Sequence, residues 1–235
     1  MEKGAQMRHD QETPQMSLSR LLLYAGPLLW AVMIVFHPNP GGDSPFEGIR
    51  GDVDRWLIVH IGQLVLTPLV FLAVWRLLDG LKSTSARISR AALVVWTVFF
   101  SAYDTVQGIA TGILTRHADG LADQEQAGFA QAIEFIVEDS LLAGNYSFVG
   151  FVAGASWFVV AIAAAVALHK AGAGKAVVVA ACLSIVVAVH TAPAAIGFLA
   201  LFVAGVLRER ERGKPTRKAS ALASHGDAPT EGTSA

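Results

Sequence analysis

Residues 91–114 read AALVVWTVFFSAYDTVQGIATGIL, an apolar run in which Asp104 is the only charged side chain. A helix of about 20 apolar residues crosses the hydrocarbon core of a bilayer, so this run is long enough for a membrane span. An ionisable side chain inside such a span costs about 2.5–3.5 kcal/mol on insertion scales, which makes Asp104 a candidate functional residue by default. The stretch therefore predicts both the class of the fold and the position of a site.

Polar and small residues lie on one face of this run. They follow one another at steps of three or four residues, the spacing that places side chains on one side of an α-helix. The stripe consists of Thr97, Ser101, Asp104, Gly108, Thr111 and Thr115. Tyr103 and Gln107 flank Asp104, and the opposite face is apolar, as expected of a face in contact with lipid or with other helices.

Other segments of the chain have similar length and composition. The stretch 176–207 would extend to roughly 48 Å as one helix, too long for an ordinary crossing, and it contains Pro193, so we divide it into two spans. We predict an all-α fold, a polytopic integral membrane bundle of six transmembrane helices. The predicted spans are 18–36, 56–78, 91–114, 148–168, 174–190 and 193–207.

The distribution of basic residues predicts the orientation in the cell membrane. Lys and Arg collect on the cytoplasmic side of membrane proteins. With six spans and a cytoplasmic N-terminus, only Arg50, Arg55 and Arg116 of the 18 basic residues lie outside. If 176–207 formed one span instead of two, the chain would have five spans and the basic tail would lie outside the cell. We therefore expect residues 1–17 to form a cytoplasmic N-terminal segment and residues 208–235 a disordered basic cytoplasmic tail.

Two of the predicted outer segments have recognisable patterns. The glycine- and proline-rich loop 39–55 is expected to consist of turns. In the segment 121–140, Phe129, Ile133, Ile136 and Val137 recur at helical spacing among acidic and amide side chains, which predicts a short amphipathic helix on the outer surface.

The composition excludes several classes of protein. Hydrophobic residues make up 53% of the chain and charged residues 16%, with a net charge of −1, which argues against a disordered chain and against a nucleic-acid partner. The single cysteine, Cys182, excludes an intramolecular disulfide. The lipid bilayer is the expected partner. Because six helices without an internal repeat are few for a complete secondary transporter, a homo-oligomer or a membrane partner subunit is also expected.

A second span carries polar residues that match those around Asp104. His60, Gln63 and Thr67 are spaced three and four residues apart, so they share one face of their helix. We predict that this face meets the polar stripe of the third span near the outer side. The candidate residues of a ligand- or proton-binding site are Asp104, His60, Gln63, Gln107 and Tyr103.

Four potential metal ligands come from four predicted helices to nearly the same side. His37 and His190 are expected at outer helix ends, and with His60 and Asp104 they supply three imidazoles and one carboxylate, a sufficient set for zinc or another transition metal. Two structural alternatives compete with this metal site. His37 and His190 would then bond helix-end carbonyls, and His60 and Asp104 would be a polar pair that fixes helix register.

Three classes of function follow from these observations. The first is an outward-facing His/Asp pocket that binds a proton, an ion or a small ligand in a transport-type or binding protein. The second is a membrane-integral, metal-dependent enzyme, and the third is an accessory or assembly subunit of a membrane complex. We expect His60 and Asp104 to face each other. Residue counts from the helix ends place them roughly 9 Å apart in depth, which makes Gln63 and Thr67 alternative partners of Asp104.

Overall fold

The computed structural model describes residues 18–38, 44–144, 147–188 and 193–213. Within these ranges every regular element is helical, which confirms the predicted all-α class. A π-helical segment, Thr105–Ala110, joins α4 to α5 without a break, and a 3-10 segment, Ser184–Ala188, continues α8. The α-helices are α1 (Leu18–Val35), α2 (Pro45–Arg50), α3 (Val53–Leu77), α4 (Thr84–Asp104), α5 (Thr111–Ala118), α6 (Asp123–Glu138), α7 (Phe148–Lys170), α8 (Lys175–Leu183) and α9 (Ala194–Arg212).

Three helices are long and apolar enough to cross a membrane. They are α3, the continuous helix Thr84–Ala118, and α7. Two further apolar helices, Tyr24–Val35 and Lys175–Ala188, are shorter. The described residues therefore form an all-helical protein with three membrane-length helices. The predicted N-terminal segment 1–17 lies outside them.

Local signals in the sequence set the ends of the long helices. The Ser83 hydroxyl accepts a hydrogen bond from the Ala86 N–H at the start of α4, and Ser147 accepts one from the Gly150 N–H at the start of α7. Such caps satisfy backbone donors that have no partner inside the helix. Gly80, in the loop between α3 and α4, has a φ of 78°, a conformation that glycine adopts without strain.

The long helices pack into a bundle with an aromatic centre. The helix α4 lies along α7, while α1 contacts both α3 and α9. Trp30 stacks on Phe198 with ring centroids 4.8 Å apart, and Trp96 lies 4.6 Å from Trp157. Aromatic pairs at these separations attract each other beyond the burial of their area. The apolar face predicted for the third span is exposed at Val94, Val98 and Ile113.

A separate layer, which we call the cap and define as α2, α5 and α6, covers one end of the bundle. Its core contains Phe46 and Ile49 of α2, Ala118 of α5, Ile133 of α6, and Trp56 from the start of α3. The amphipathic helix predicted within 121–140 is confirmed as α6. Its apolar side faces the cap core, since Phe129 and Val137 also pack there.

The prediction that the loop 39–55 consists of turns is wrong for its second half. Residues 45–50 form α2, and residues 39–43 lie outside the described part of the chain. The physical reason is a helix-start signal: the Ser44 hydroxyl accepts from the Glu47 N–H, and Pro45 occupies the first helical position.

Two helices are longer than the spans predicted for them, the third long helix and α9. The third helix runs over Thr84–Ala118 rather than 91–114, and at each end only one face is buried, through Ala86 and Ser89 at the start and Thr115 and Ala118 at the end. The prediction of disorder from residue 208 onward is wrong for residues 208–212, which belong to α9. The Glu209 carboxylate stabilises this last turn by pairing with Arg76 and Arg212.

Candidate functional site

The polar faces of α3 and the third long helix meet beneath the cap. Trp56 and His60, one turn apart on α3, lie against Gly108 and Asp104. The two helices run antiparallel, as expected of neighbours joined by a short loop. Trp56, in the first turn of α3, packs against Gly108 and Gly112, so α3 begins beside residues 108–112 and the third long helix continues past them to Ala118. The helix ends are therefore not level, so counting residues from the ends overestimated the difference in depth between His60 and Asp104.

His60 and Asp104 form a direct buried hydrogen bond. The His60 Nδ1 lies 2.6 Å from the Asp104 Oδ1, and the two side chains are 3% and 0% exposed. A neutral imidazole with its proton on Nδ1 donates this bond to the carboxylate. The predicted contact between the two residues is confirmed, and His60 rather than Thr67 is the residue of α3 that reaches Asp104.

Gly108 creates the space that the imidazole occupies. A Cβ atom added at Gly108 would lie 2.1 Å from the His60 Nδ1, a separation that no side chain can tolerate. The ring therefore rests directly on the helix backbone, one turn beyond Asp104. Glycine at this position of the polar stripe has a packing reason: it permits the close approach of His60.

The π-helical segment Thr105–Ala110 carries the second contact between the helices. The Trp56 indole Nε1 donates to the Gly108 carbonyl oxygen over 2.7 Å, and the Thr111 hydroxyl donates to the carbonyls of Gln107 and Gly108. A π turn disturbs the regular pattern of backbone hydrogen bonds, and such turns occur frequently at functional sites. Side-chain donors thus supply part of the hydrogen bonding in this segment.

His37 covers the pair from the side of α1. Its ring meets the His60 ring edge-on, with centroids 4.9 Å apart, and lies 5.4 Å from the Trp56 ring. The His37 Nδ1–H donates to the Pro38 carbonyl over 2.8 Å. Burial, followed by the nearby His60, lowers the pKa of His37 to about 4, so this imidazole is neutral at pH 7.

The remaining predicted residues divide between two places. Gln63, one turn from His60 on the same face, is completely buried, and neither atom of its amide has a hydrogen-bond partner in the described part of the chain. Tyr103 and Gln107 hydrogen-bond to each other. Tyr103 lines a different cavity, which His60 and Asp104 do not line. Tyr103 thus lines this second cavity and also adjoins Asp104 in the chain, and its membership of one site with the His60–Asp104 pair stays a prediction.

The proposed set of four metal ligands is only partly described. His37, His60 and Asp104 lie close together, whereas His190 lies outside the described residues. Among the residues that are described, no group of three or more His, Cys, Asp or Glu side chains has a geometry that could hold a metal ion. The bond to Asp104 already occupies the His60 Nδ1.

A cluster of charged side chains at the other end of the bundle was missed in the sequence. The Glu209 carboxylate accepts from Arg76 over 3.0 and 3.2 Å and from Arg212 over 2.7 Å. Tyr24 reaches the same carboxylate, and its ring occupies the space beside Gly205. Glu209 follows Gly205 by four residues, so both lie on one helix face. This spacing is the signal that could have identified the cluster.

The electrostatics of this cluster favour an ionised Glu209. Burial alone raises the pKa of the carboxyl, but hydrogen bonds from Arg76 and Arg212, together with their charges, outweigh burial and hold the pKa below its ordinary value. The cluster joins α1, α3 and α9, so it stabilises the end of the bundle opposite the cap.

No protein-family model matches the chain, and neither the curated proteins nor the solved structures contain a significant match.

Proposed function

We propose that the chain is a multi-pass membrane protein that crosses the cell membrane six times, with both termini in the cytoplasm and the cap outside. Three membrane-length helices and the two shorter apolar helices support this proposal. Further support comes from α8 and α9, which pack against each other as the two halves of a hairpin would. The six-span arrangement also leaves only Arg50, Arg55 and Arg116 outside, in keeping with the excess of positive charge on cytoplasmic sides.

In this proposal the His60–Asp104 pair is a protonatable site in a binding or transport-type protein. The observation that carries it is the 2.6 Å bond between two ionisable side chains, both buried, on two membrane-length helices. Neither helix needs such a pair for insertion, and ionisable residues at membrane depth typically belong to proton or ion pathways. A neutral imidazole and an ionised carboxylate together carry one negative charge. Binding of one proton makes the pair neutral, so the pair can hold a proton without adding a net charge to the membrane interior.

Gln63 extends the site towards the centre of the bundle. An amide buried without a partner costs about 1–3 kcal/mol, so an apolar side chain would be expected here if the position were only structural. A water molecule or a small polar ligand beside the pair would satisfy this amide. Gln63 is therefore the residue through which a ligand other than a proton would be recognised.

The distance between His60 and Asp104 supports a proton rather than a metal ion. Zinc binds nitrogen and oxygen ligands at about 2.0–2.2 Å each, which holds two ligand atoms further apart than the direct bond seen here. A metal would have to displace that bond and recruit His37 and His190. The experiment below distinguishes the proposed protonatable site from the two alternatives, a metal-dependent enzyme and an accessory subunit.

Infrared difference spectroscopy on the purified protein in lipid tests the proposal. A pH change should produce the carbonyl signal of a buried carboxyl group, and Asp104→Asn should remove it while His60→Gln shifts it. The matched control is Asp123→Asn, which changes an exposed carboxylate in the first turn of α6 and should leave the signal intact. In proteoliposomes, Asp104→Asn should also abolish any proton flux that the wild-type protein supports.

Three outcomes would overturn the proposal. The absence of an Asp104 signal at every pH at which the protein stays folded would leave a purely structural pair. Stoichiometric zinc, copper or iron that His60→Ala removes would establish the metal-dependent enzyme. Constant co-purification with one membrane protein, without a titrating carboxyl group, would favour the accessory subunit.

A further inference from the structure

Two neighbouring leucines are exposed in the loop between α6 and α7. Leu141 and Leu142, which we call the leucine tip, are 58% and 46% exposed, although the next residue, Ala143, is completely buried. The loop between α3 and α4 treats its leucines differently, since Leu78 and Leu81 pack into the main core of the bundle. The chain therefore leaves the leucine tip to be covered by its surroundings.

The leucine tip lies where a membrane-length helix begins. The Phe148 N–H donates to the Ser140 carbonyl over 2.8 Å. The Val149 N–H donates to the Leu141 carbonyl over 3.1 Å, so the tip is bonded to the first turn of α7. Phe148 and Phe151 in the same part of α7 are 57% and 71% exposed. Because α7 is long and apolar enough to cross a bilayer, its exposed residues face lipid in the proposed arrangement, and the tip continues this apolar surface beyond the helix.

The backbone of the leucine tip is hydrogen-bonded entirely within the chain. The Asp139 Oδ1 accepts from the N–H of Leu141 over 2.9 Å and from that of Leu142 over 2.5 Å. The Leu141 carbonyl accepts from Val149, and the Leu142 carbonyl accepts from the Ser147 hydroxyl over 3.3 Å. All four backbone polar groups of the tip are thus satisfied. A loop that enters lipid must meet this condition, because hydrocarbon offers no hydrogen-bond partners, whereas a loop in water need not.

The surrounding charges favour the hydrocarbon of the bilayer over anionic headgroups as the partner. The sequence of α6 contains no basic residue and four acidic ones, Asp123, Glu125, Glu134 and Glu138. Acidic side chains do not attract anionic lipids, so attraction of the tip to the membrane depends on apolar burial. A second copy of the chain is a poorer fit, since stable protein interfaces bury roughly 800 Å² per partner, far more than two leucine side chains provide.

We propose that the leucine tip inserts into the hydrocarbon edge of the outer leaflet beside the start of α7, and that Asp139 positions its backbone for this insertion. The partner is the lipid bilayer, and the interaction does not require anionic lipid. The tip thereby attaches the cap to the membrane as well as to the bundle. This inference rests on the proposed membrane arrangement, and it uses neither His60 nor Asp104.

Spin labels on single cysteines measure the depth of the tip in liposomes of neutral phosphatidylcholine. The full chain carries Cys182→Ser together with Leu141→Cys or Leu142→Cys. Oxygen concentrates in hydrocarbon and a water-soluble nickel chelate does not, so their relative effects on the relaxation of the label report its depth. Both tip labels should respond more strongly to oxygen, and added anionic lipid should leave this unchanged. The control Gln124→Cys, exposed in the cap, should respond more strongly to nickel.

A label in the middle of α7 separates the tip from the membrane arrangement on which it rests. Ile162→Cys, at a position that is 51% exposed, should respond to oxygen. A nickel response at the tip with an oxygen response at Ile162 would overturn the tip alone, whereas nickel responses at both would overturn the membrane arrangement as well. Spin–spin broadening at the tip that persists on dilution with lipid would identify a second copy as the partner and would also overturn the proposal.

Two substitutions at Asp139 test its positioning role. Asp139→Ala removes the acceptor of both N–H groups of the tip, while Asp139→Asn keeps an amide oxygen that can accept from them. With the label at Leu142→Cys, Asp139→Ala should increase the response to nickel, and Asp139→Asn should leave it near the parent value. The same depth in the parent protein and in both variants would disprove the role of Asp139.

Discussion

At the scale of single residues, the site depends on a glycine as much as on its two ionisable groups. The His60 ring occupies the volume that any side chain at position 108 would fill, and the Trp56 indole bonds to the carbonyl of the same residue. Asp104 supplies the charge, but Gly108 determines whether the imidazole can reach it. The pair is therefore sensitive to changes that add only one carbon atom.

We expect Gly108→Ala to destabilise the protein by about 1–3 kcal/mol, the usual penalty for inserting a carbon atom into a packed core. The added methyl group would displace the His60 ring and break its bond to Asp104. Unfolding of the purified protein in mixed micelles measures the change. Gly128→Ala in α6, where no atom lies within 4 Å of the added carbon, is the control and should not destabilise the protein.

A double-mutant cycle should detect the bond between His60 and Asp104. Replacement of either residue by leucine removes one partner of a buried pair and should cost about 3–5 kcal/mol. The double variant His60→Leu/Asp104→Leu should cost less than the sum, with a coupling free energy of about 1–3 kcal/mol in the unfolding measurement. Additive effects would contradict the bond. His60→Leu combined with Glu209→Gln, at the other end of the bundle, should be additive.

The sequence predicted the partners in this bond but not how they meet. Spacing of three and four residues identified the faces that carry His60 and Asp104, because helix periodicity fixes which side chains share a side. The depth of one helix relative to another depends on how far each helix extends, and residue spacing within a helix does not give that extent. The unpaired amide of Gln63 and the cavity beside Tyr103 are also properties of packing that no spacing reveals.

At the scale of elements, the π segment Thr105–Ala110 carries one of the contacts between α3 and the third long helix, next to the His60–Asp104 bond. Apolar periodicity cannot predict such a segment, since the residues on either side of it continue the same stripe. Helix α2 was missed for a different reason: its six residues are too few for a periodic pattern, although Ser44 and Pro45 provide a start signal. Longer elements such as α6 and α7 agree with the sequence prediction within a few residues.

Trp56→Phe tests the attachment between α3 and the π segment. The variant removes the indole N–H that donates to the Gly108 carbonyl but keeps an aromatic ring beside His60 and His37. Because the Thr111 hydroxyl still donates to that carbonyl, we expect a loss of about 1 kcal/mol in unfolding free energy rather than a larger one. The same change at Trp75, which is 43% exposed, should have no measurable effect.

At the scale of the whole molecule, the two ends of the bundle are held by different chemistry. The cap end contains a hydrophobic cluster and the neutral His37, whereas the opposite end is held by the ionised Glu209 between Arg76 and Arg212. Within the cap, the amphipathic pattern predicted α6 but α2 was missed. The charged end was not, because Glu209 lies in an alternating run of Arg and Glu that resembles a solvated surface.

Stability should therefore fall in acid because of Glu209. Its pKa is lower in the folded protein than in the unfolded chain, so its contribution is complete above the unfolded pKa near 4.3 and is lost as the pH falls through the folded value. At neutral pH, Glu209→Gln should cost about 1.5–3 kcal/mol, the worth of a charged hydrogen bond. The difference between variant and wild type should shrink below about pH 4. Glu134→Gln, on the exposed side of α6, should show neither effect.

Single cysteines test the arrangement in the membrane. In a Cys182→Ser background, an impermeant maleimide applied to intact cells should label Gln124→Cys in the cap. The reagent should label Lys82→Cys and Lys170→Cys only after the cells are permeabilised. The side chains at all three positions are exposed in the structure, so a lack of labelling reports the membrane and not burial. Arg210→Cys decides the number of spans. Protection in intact cells is expected for six spans, and labelling in intact cells would mean five.

The π segment changes the direction in which the side chains of one continuous helix point. The part before the segment and the part after it therefore have different rotational phases about the helix axis. A π turn contains one residue more than an α turn, so everything beyond it is rotated by about 100° relative to an unbroken α-helix. Before the segment α4 faces α7, and after it α5 faces α2 and α6. Deletion of one residue between Asp104 and Thr111 would merge the two phases and turn either the carboxylate or the cap-facing side away from its neighbours. The residue count of this short segment, as well as its side chains, thus ties the cap to the buried pair.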